Sequence, residues 1–209
     1  MFIHWTKVVP RFFVLGFLSK DFFIGSDTLI ETNRLYIKFY ESEDLADLFN
    51  LLTRKELTYP AGFKPVPDLK TCSLSLQYRM MSKQYVKITD KSYNFMGEIN
   101  FYKDQSKRNP NAYELGFILL EEFQGHGYMQ EALKAFIAWF NKQVDIDILT
   151  LHMFVGNQKS ENTALSLGFQ KDGIIRRYKK MYDGEVLDVY TYTMTKPEIE
   201  RNLKIWQKF

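Results

Sequence analysis

Cysteine is almost absent from this chain, with Cys72 the only one in 209 residues. That excludes an internal disulfide framework and any cysteine-rich zinc site, and it fits a reducing cytoplasm. The lone thiol reads as a small buried hydrophobe. His4, His126 and His152 are too far apart for HExxH-type spacing, so no metal is expected. An excess of one charge is missing too. With Lys+Arg 28 against Asp+Glu 25, the net charge of +3 is too balanced for a nucleic-acid binder, and no direct nucleic-acid partner is expected. The apolar run at residues 12–18 falls far short of the about 20 residues that span a bilayer, so no stable membrane insertion is expected. Repeats and low-complexity segments are absent. What is present is 45% hydrophobic and 16% aromatic content, enough for a sizeable core in one α/β domain.

Residues 1–28 stand apart because Phe2, Trp5, Phe12, Phe13, Phe17, Phe22 and Phe23 make them unusually aromatic. Lys7 and Arg11 ahead of the apolar run resemble the start of a signal peptide, yet no small-residue cleavage site follows. An interfacial anchor is a second reading. The favoured reading is an N-terminal arm packed on the domain or on a second subunit, which allows a homodimer. The domain itself is expected over 29–197, with a C-terminal tail over 198–209.

From Glu31 the pattern is regular. Arg34 to Tyr40 alternates as a strand, Ser42 is placed to cap a helix carrying Leu45, Leu48, Phe49 and Leu52, and Pro60, Pro65 and Pro67 keep residues 59–68 irregular. A helix over Asp68 to Ser82 leads to strands near Tyr85 to Thr89 and Tyr93 to Tyr102, turned by Asp90-Lys91-Ser92. A strand at Tyr113 to Leu120 precedes a helix in which Met129, Leu133, Phe136, Ile137 and Phe140 share one face. Ile148 to Val155 reads as a strand, Glu161 to Leu167 as a helix ended by Gly168, and two strands flank Asp183-Gly184. This order implies a mixed sheet with helices on both faces.

The strand, the turn with Gly125 and Gly127, and the long helix after it form an anion site in outline. A helix start carries unpaired N–H groups and the positive end of the dipole, and glycine lets a phosphate approach the main chain. The plainer reading is a glycine turn that merely starts a helix.

Gln124-Gly125-His126-Gly127-Tyr128-Met129 resembles the acyl-CoA pyrophosphate loop of the GNAT superfamily of N-acetyltransferases, with Met129 departing from the Gly or Ala at its last position. Asn157 and Ser160, followed by Gly168-Phe169, resemble the superfamily's later helix. The opening ETNRLYIKFYESEDLADLF and the closing DGEVLDVYTYTM are similar to the Rim-type subfamily that acetylates the N-termini of ribosomal proteins. The resemblance covers about residues 31–196 and implies a GNAT-like, largely antiparallel sheet in a single domain, with acetyl-CoA as cosubstrate and a cytoplasmic location.

It also implies roles. Gln124, Gly125, His126, Gly127, Tyr128 and Met129 would hold the pyrophosphate through their main chain. Phe117, Ile118 and Leu119 would pair with the pantetheine arm as an added strand, while Asn157 would bond its amides and Ser160 would meet the sulfur. For Asn157 and Ser160 ordinary helix capping is the competing reading. Many members place a tyrosine acid where this chain has Ala164, so Ser160 is the first choice of acid. Amine attack on a thioester also needs a base. Glu98, alternating with Met96, Asn100 and Tyr102, and Glu114, alternating with Gly116 and Ile118, are the candidates, each weighed against a salt-bridged strand glutamate. Tyr59 and Phe63 are expected in the acceptor wall. The basic run Arg176, Arg177, Lys179, Lys180 reads as a solvated hairpin face, with contact to ribosomal RNA or to an acidic substrate as the alternative.

The leading expectation is acetyl transfer to a protein N-terminal amine. The alternatives are the same chemistry on a polyamine or aminoglycoside, which would call for an acidic cleft, and an inactive CoA-binding or ribosome-binding module.

Overall fold

The computed structural model describes residues 28–206, so the expected aromatic arm lies outside the described residues except for Thr28. The chain runs β1 (Ile30–Glu31), β2 (Leu35–Phe39), a 3-10 turn at Ser42–Asp44, α1 (Leu45–Leu52), α2 (Lys55–Thr58), α3 (Leu69–Ser82), β3 (Tyr85–Asp90), β4 (Phe95–Lys103) and β5 (Ala112–Leu119). After a second 3-10 turn at Glu121–Phe123 come α4 (Tyr128–Gln143), β6 (Ile148–Phe154), α5 (Gln158–Ser166), β7 (Gln170–Lys180), β8 (Val186–Thr195) and α6 (Lys196–Trp206). Glu41 rather than Ser42 caps the first helical turn, in a reciprocal box with Asp44. Asp68 caps α3 by accepting from the Thr71 N–H.

One eight-stranded sheet has the order β1-β2-β3-β4-β5-β6-β8-β7. Every neighbour pair is antiparallel except β5 and β6. Residues opposite one another in the register share a face. One face is apolar: Ile37 faces Ile88, Ile99 faces Phe117, Phe101 faces Leu115, and Tyr113, Leu149 and Met194 form a row. It packs on α4, whose Met129, Ala132, Leu133, Phe136, Ile137 and Phe140 are all buried. Truncating fully buried Phe136 to alanine would cost about 3–5 kcal/mol.

The other face carries Glu98, Asn100, Tyr102, Glu114, Thr150, His152 and Thr191. Over β3 and β4 it is sealed by Leu48, Leu51, Cys72 and Leu76 of α1 and α3, while the part over β5, β6 and β8 stays polar. Met96 does not share this face. A bulge sets Ile88 opposite Gly97 but Thr89 opposite Phe95, and the extra residue turns Met96 into the apolar core.

Residues 198–206, expected as tail, instead belong to α6, with Ile199 fully buried in the main core and the Asn202 amide donating to the Leu167 carbonyl at 3.2 Å. A helix of which only one narrow stripe is apolar gives a weak signal in sequence. Among the described residues no helix is long and apolar enough to cross a membrane.

Candidate active site

The parallel pair β5 and β6 is joined only over Ala112–Glu114 and Ile148–Thr150. Beyond those residues β5 continues to Leu119 and β6 to Phe154 without pairing, which opens a wedge in the middle of the sheet. Two cavities occupy it. One, of about 860 Å³, lies between the end of β5, the start of α4 and α5; the other, of about 560 Å³, lies over the polar face. They meet at Phe117, Ile118, Phe154, Asn157 and Ser160, which line both.

The larger cavity is lined by Phe117, Ile118, Leu119, Gln124, Gly125, Gly127, Tyr128 and Met129. Gly127 sits at the N-cap of α4 with φ 76°, and Gly125 has φ 82°, backbone states that side-chained residues avoid. Among the described residues no side chain caps this helix start. Met129 is buried in the main core, so its departure from the loop pattern concerns packing and leaves its N–H at the first turn of α4. His126 is exposed and does not line the cavity.

Two residues not anticipated from sequence brace the loop. Arg34 donates to the His126 carbonyl at 3.0 Å, pairs with Glu131 at 2.6 Å and lies 4.4 Å over the Tyr128 ring. Burial pulls Glu131 upward, but hydrogen bonds from Thr32 and Arg34 outweigh it and hold the carboxyl below its usual range. Lys159 donates to the Gln124 Oε1 at 2.8 Å, while the Gln124 amide donates to the Leu119 carbonyl at 2.9 Å, so Gln124 ties α5 to the end of β5. Asn157 does cap α5, its Oδ1 accepting from the Ser160 N–H at 3.2 Å, which leaves its amide nitrogen for a ligand. Ala164 is fully buried in the core.

The smaller cavity separates the two glutamates. Glu98 is 2% exposed and bidentate to Arg79, at 2.9 Å for each bond, and it also accepts from the Tyr40 hydroxyl at 2.8 Å. Burial lowers Arg79, but the Glu98 charge more than reverses this and its pKa rises. Glu114 is free of any cation of that kind. Its Oε1 lies 3.1 Å from the Nδ1 of His152, out of line for a hydrogen bond, and both ring nitrogens of His152 are buried without a hydrogen-bond partner among the described residues. The His152 ring stacks on Tyr178 at 5.2 Å. Burial first, then the Glu114 charge, raises the phenols of Tyr102 and Tyr178. Glu121 lines the larger cavity and Glu122 pairs with Arg54 at 2.9 Å, so the four glutamates that would make an acidic cleft do not converge.

Phe63 lines the smaller cavity and Tyr59 the larger. The Tyr59 hydroxyl donates to Glu185 at 2.5 Å and its ring meets Tyr182 edge-on at 5.8 Å, joining the proline-rich segment to the tip of the β7–β8 hairpin. Among the described residues no group of His, Cys, Asp or Glu could hold a metal ion.

Known proteins share this fold. The chain is 22% identical over 177 residues to the uncharacterized N-acetyltransferase YoaA of Bacillus subtilis, covering 81% of this chain and 97% of that one. The solved structure of ribosomal-protein-S5-alanine acetyltransferase from Vibrio fischeri superposes with a TM-score of 0.65 at 22% identity, covering 79% of this chain and 94% of that one. Spermidine N-acetyltransferase from Vibrio cholerae, solved with CoA and spermine, gives 0.69 at 17% identity, with coverage of 81% and 99%. Residues 34–170, well over half of the sequence, match the acetyltransferase (GNAT) domain, and the chain belongs to that family of acetyltransferases.

Proposed function

We propose that this enzyme transfers the acetyl group of acetyl-CoA to a primary amine, with a protein N-terminal amine as the acceptor. The observation that carries the reading is the meeting of the two cavities at Ser160, Asn157 and Phe117, which lets a thioester entering from one side face an amine entering from the other. The uncapped start of α4 and its two left-handed glycines suit a pyrophosphate. The edge of β5 beyond Glu114, unpaired with β6, suits the amides of a pantetheine arm.

In the chemical step the amine nitrogen bonds to the thioester carbon, the C–S bond breaks, and one proton moves from nitrogen to the protein while the sulfur gains another. Glu114 takes the proton, because both oxygens of Glu98 are already engaged by Arg79, and Glu98 instead fixes α3 on the cavity floor. His152 packs beside Glu114, its Nδ1 3.1 Å from the Glu114 Oε1. The Ser160 hydroxyl meets the departing sulfur. The smaller cavity sets Lys64, Arg79 and Lys179 against Glu98 and Glu114 and so lacks the acidic excess that a polycation would call for, which supports a peptide amine over a polyamine.

The test is CoA release by the purified protein against panels of N-terminal peptides, polyamines and aminoglycosides. Peptides are expected to turn over best. Faster turnover of spermidine or an aminoglycoside would move the enzyme to the small-amine reading, and acetyl-CoA binding without turnover on any panel would overturn the proposal.

A further inference from the structure

The basic run on β7 was expected to be a solvated hairpin face, and β7 is exposed along its length, but one of its lysines also lines the smaller cavity. Between Ile175 and Lys179 the pairing slips: Ile175 faces Val189 and Lys179 faces Leu187, so four steps on β7 span two on β8. Arg177 takes up the slack in a left-handed conformation, φ 54°, and its N–H donates to the Asp188 carboxylate at 2.6 Å. A bulge of this kind re-aims side chains. Here it turns the adjacent residues Tyr178 and Lys179 both into the smaller cavity. Lys179 is an exposed residue of an edge strand, and its ammonium reaches across to Gly62, close enough that a Cβ there would sit 2.8 Å from Nζ. Its Nζ has no hydrogen bond or salt bridge among the described residues. The desolvation of this head group lowers its pKa, with the Glu114 charge acting in the opposite direction.

The charges lining this cavity are Lys64, Arg79 and Lys179 against Glu98 and Glu114. Arg79 and Glu98 cancel as a buried bidentate pair, leaving Glu114 opposed by Lys64 and Lys179. A proton acceptor at one place and an uncompensated cation at another make a site for a molecule with both an amine and an anion.

We infer that Lys179 forms an anion subsite beside the transfer centre, and that the acceptor is an α-amine carrying a carboxylate close by, as in a peptide whose first or second residue is Asp or Glu. This rests on the reading of the enzyme as an amine acetyltransferase with Glu114 on the acceptor side. It deepens that reading by naming the acceptor's charge.

The experiment compares kcat/KM for matched N-terminal peptides with Glu, Gln or Lys at the second position, for free glutamate and for spermidine, in the wild type and in Lys179→Met and Lys179→Glu. The wild type is expected to favour the Glu peptide over the Gln peptide by about tenfold, the size of a partly desolvated charge pair. Lys179→Met should bring that ratio to within about twofold, and Lys179→Glu should shift preference to the Lys peptide. Both variants should keep wild-type CoA affinity, which serves as the check on folding. Peptide turnover with no charge preference, or a preference that survives Lys179→Met, overturns the anion subsite while the N-terminal reading stands. Turnover of free glutamate alone, lost in Lys179→Met, keeps the subsite and overturns the peptide reading. Spermidine as the best acceptor overturns both.

Discussion

Of the two cavities that meet at Ser160, one draws its chemistry from the backbone and the other from side chains. The donor cavity is shaped by the left-handed glycines at 125 and 127, the uncapped first turn of α4 and the unpaired edge of β5. Its polar groups belong to every residue type, so substitution there is felt through conformation. The acceptor cavity is shaped by Glu98, Arg79, Glu114, His152, Tyr178 and Lys179, contributed by five separate elements. Within it Glu98 and Arg79 depend on one another, because a buried ionisable group left without its partner loses solvation and gains nothing. A single residue change should therefore act differently on the two sides.

The sharpest contrast is expected from Glu114→Gln, which keeps shape and removes the proton acceptor. Turnover should fall by about 10²–10⁴-fold, with CoA affinity unchanged by calorimetric titration. Loss of CoA binding in step with turnover would mean that the two cavities are not separable. Next comes Arg79→Met, which strands the Glu98 carboxylate at 2% exposure. Removing one partner of such a pair costs about 3–5 kcal/mol, to be read as a lowered urea midpoint. A midpoint within error of the wild type would show that Glu98 finds another partner or a proton. On the donor side, Gly127→Val forces a β-branched residue into a φ of 76°. Strain of about 1–3 kcal/mol should distort the first turn of α4 and weaken CoA binding by about tenfold, without altering the preference among acceptors.

The smallest effect concerns Glu131, whose carboxyl is held below its usual range by Thr32 and Arg34 against the opposing pull of burial. A depressed folded-state pKa gives stability that is present above the unfolded value of about 4.3 and is lost as pH falls through the folded one. Glu131→Gln should therefore lose less Tm than the wild type when thermal melts at ~pH 7 and ~pH 3 are compared. Equal losses would remove Arg34 and Glu131 from the account of what braces the donor loop.

This asymmetry also governs what could be read from the sequence. The donor side is local: strand, glycine turn and helix run consecutively from Tyr113 to Leu133, so periodicity and two glycines suffice to place it. Asn157 and Ser160 were legible for the same reason, as neighbours at the start of one helix. The acceptor side is assembled across the chain. Nothing near Glu98 indicates that Arg79 on α3 will occupy both its oxygens, and nothing near Glu114 indicates His152 two positions beyond its parallel partner Thr150. Lys179 was hidden in a run of four cations, and only the slipped register of β7 distinguishes it from Lys180. Arg34 and Lys159 escaped notice because each acts on a loop about 35 to 92 residues away. The mixed sheet with helices on both faces followed from the succession of alternating and helical segments, whereas the strand order, the bulge at Met96 and the burial of α6 depend on tertiary packing.

The uncapped start of α4 has a thermodynamic consequence. This helix fills the main core through Leu133, Phe136, Ile137 and Phe140, so whatever completes hydrogen bonding at its first turn is coupled to the opening of the whole domain. A ligand bound there to the folded chain alone raises stability by about 2.7 kcal/mol at a hundredfold excess over Kd. Resistance to unfolding would then track how much cosubstrate surrounds the protein, and the same turn that positions a phosphate would report its supply.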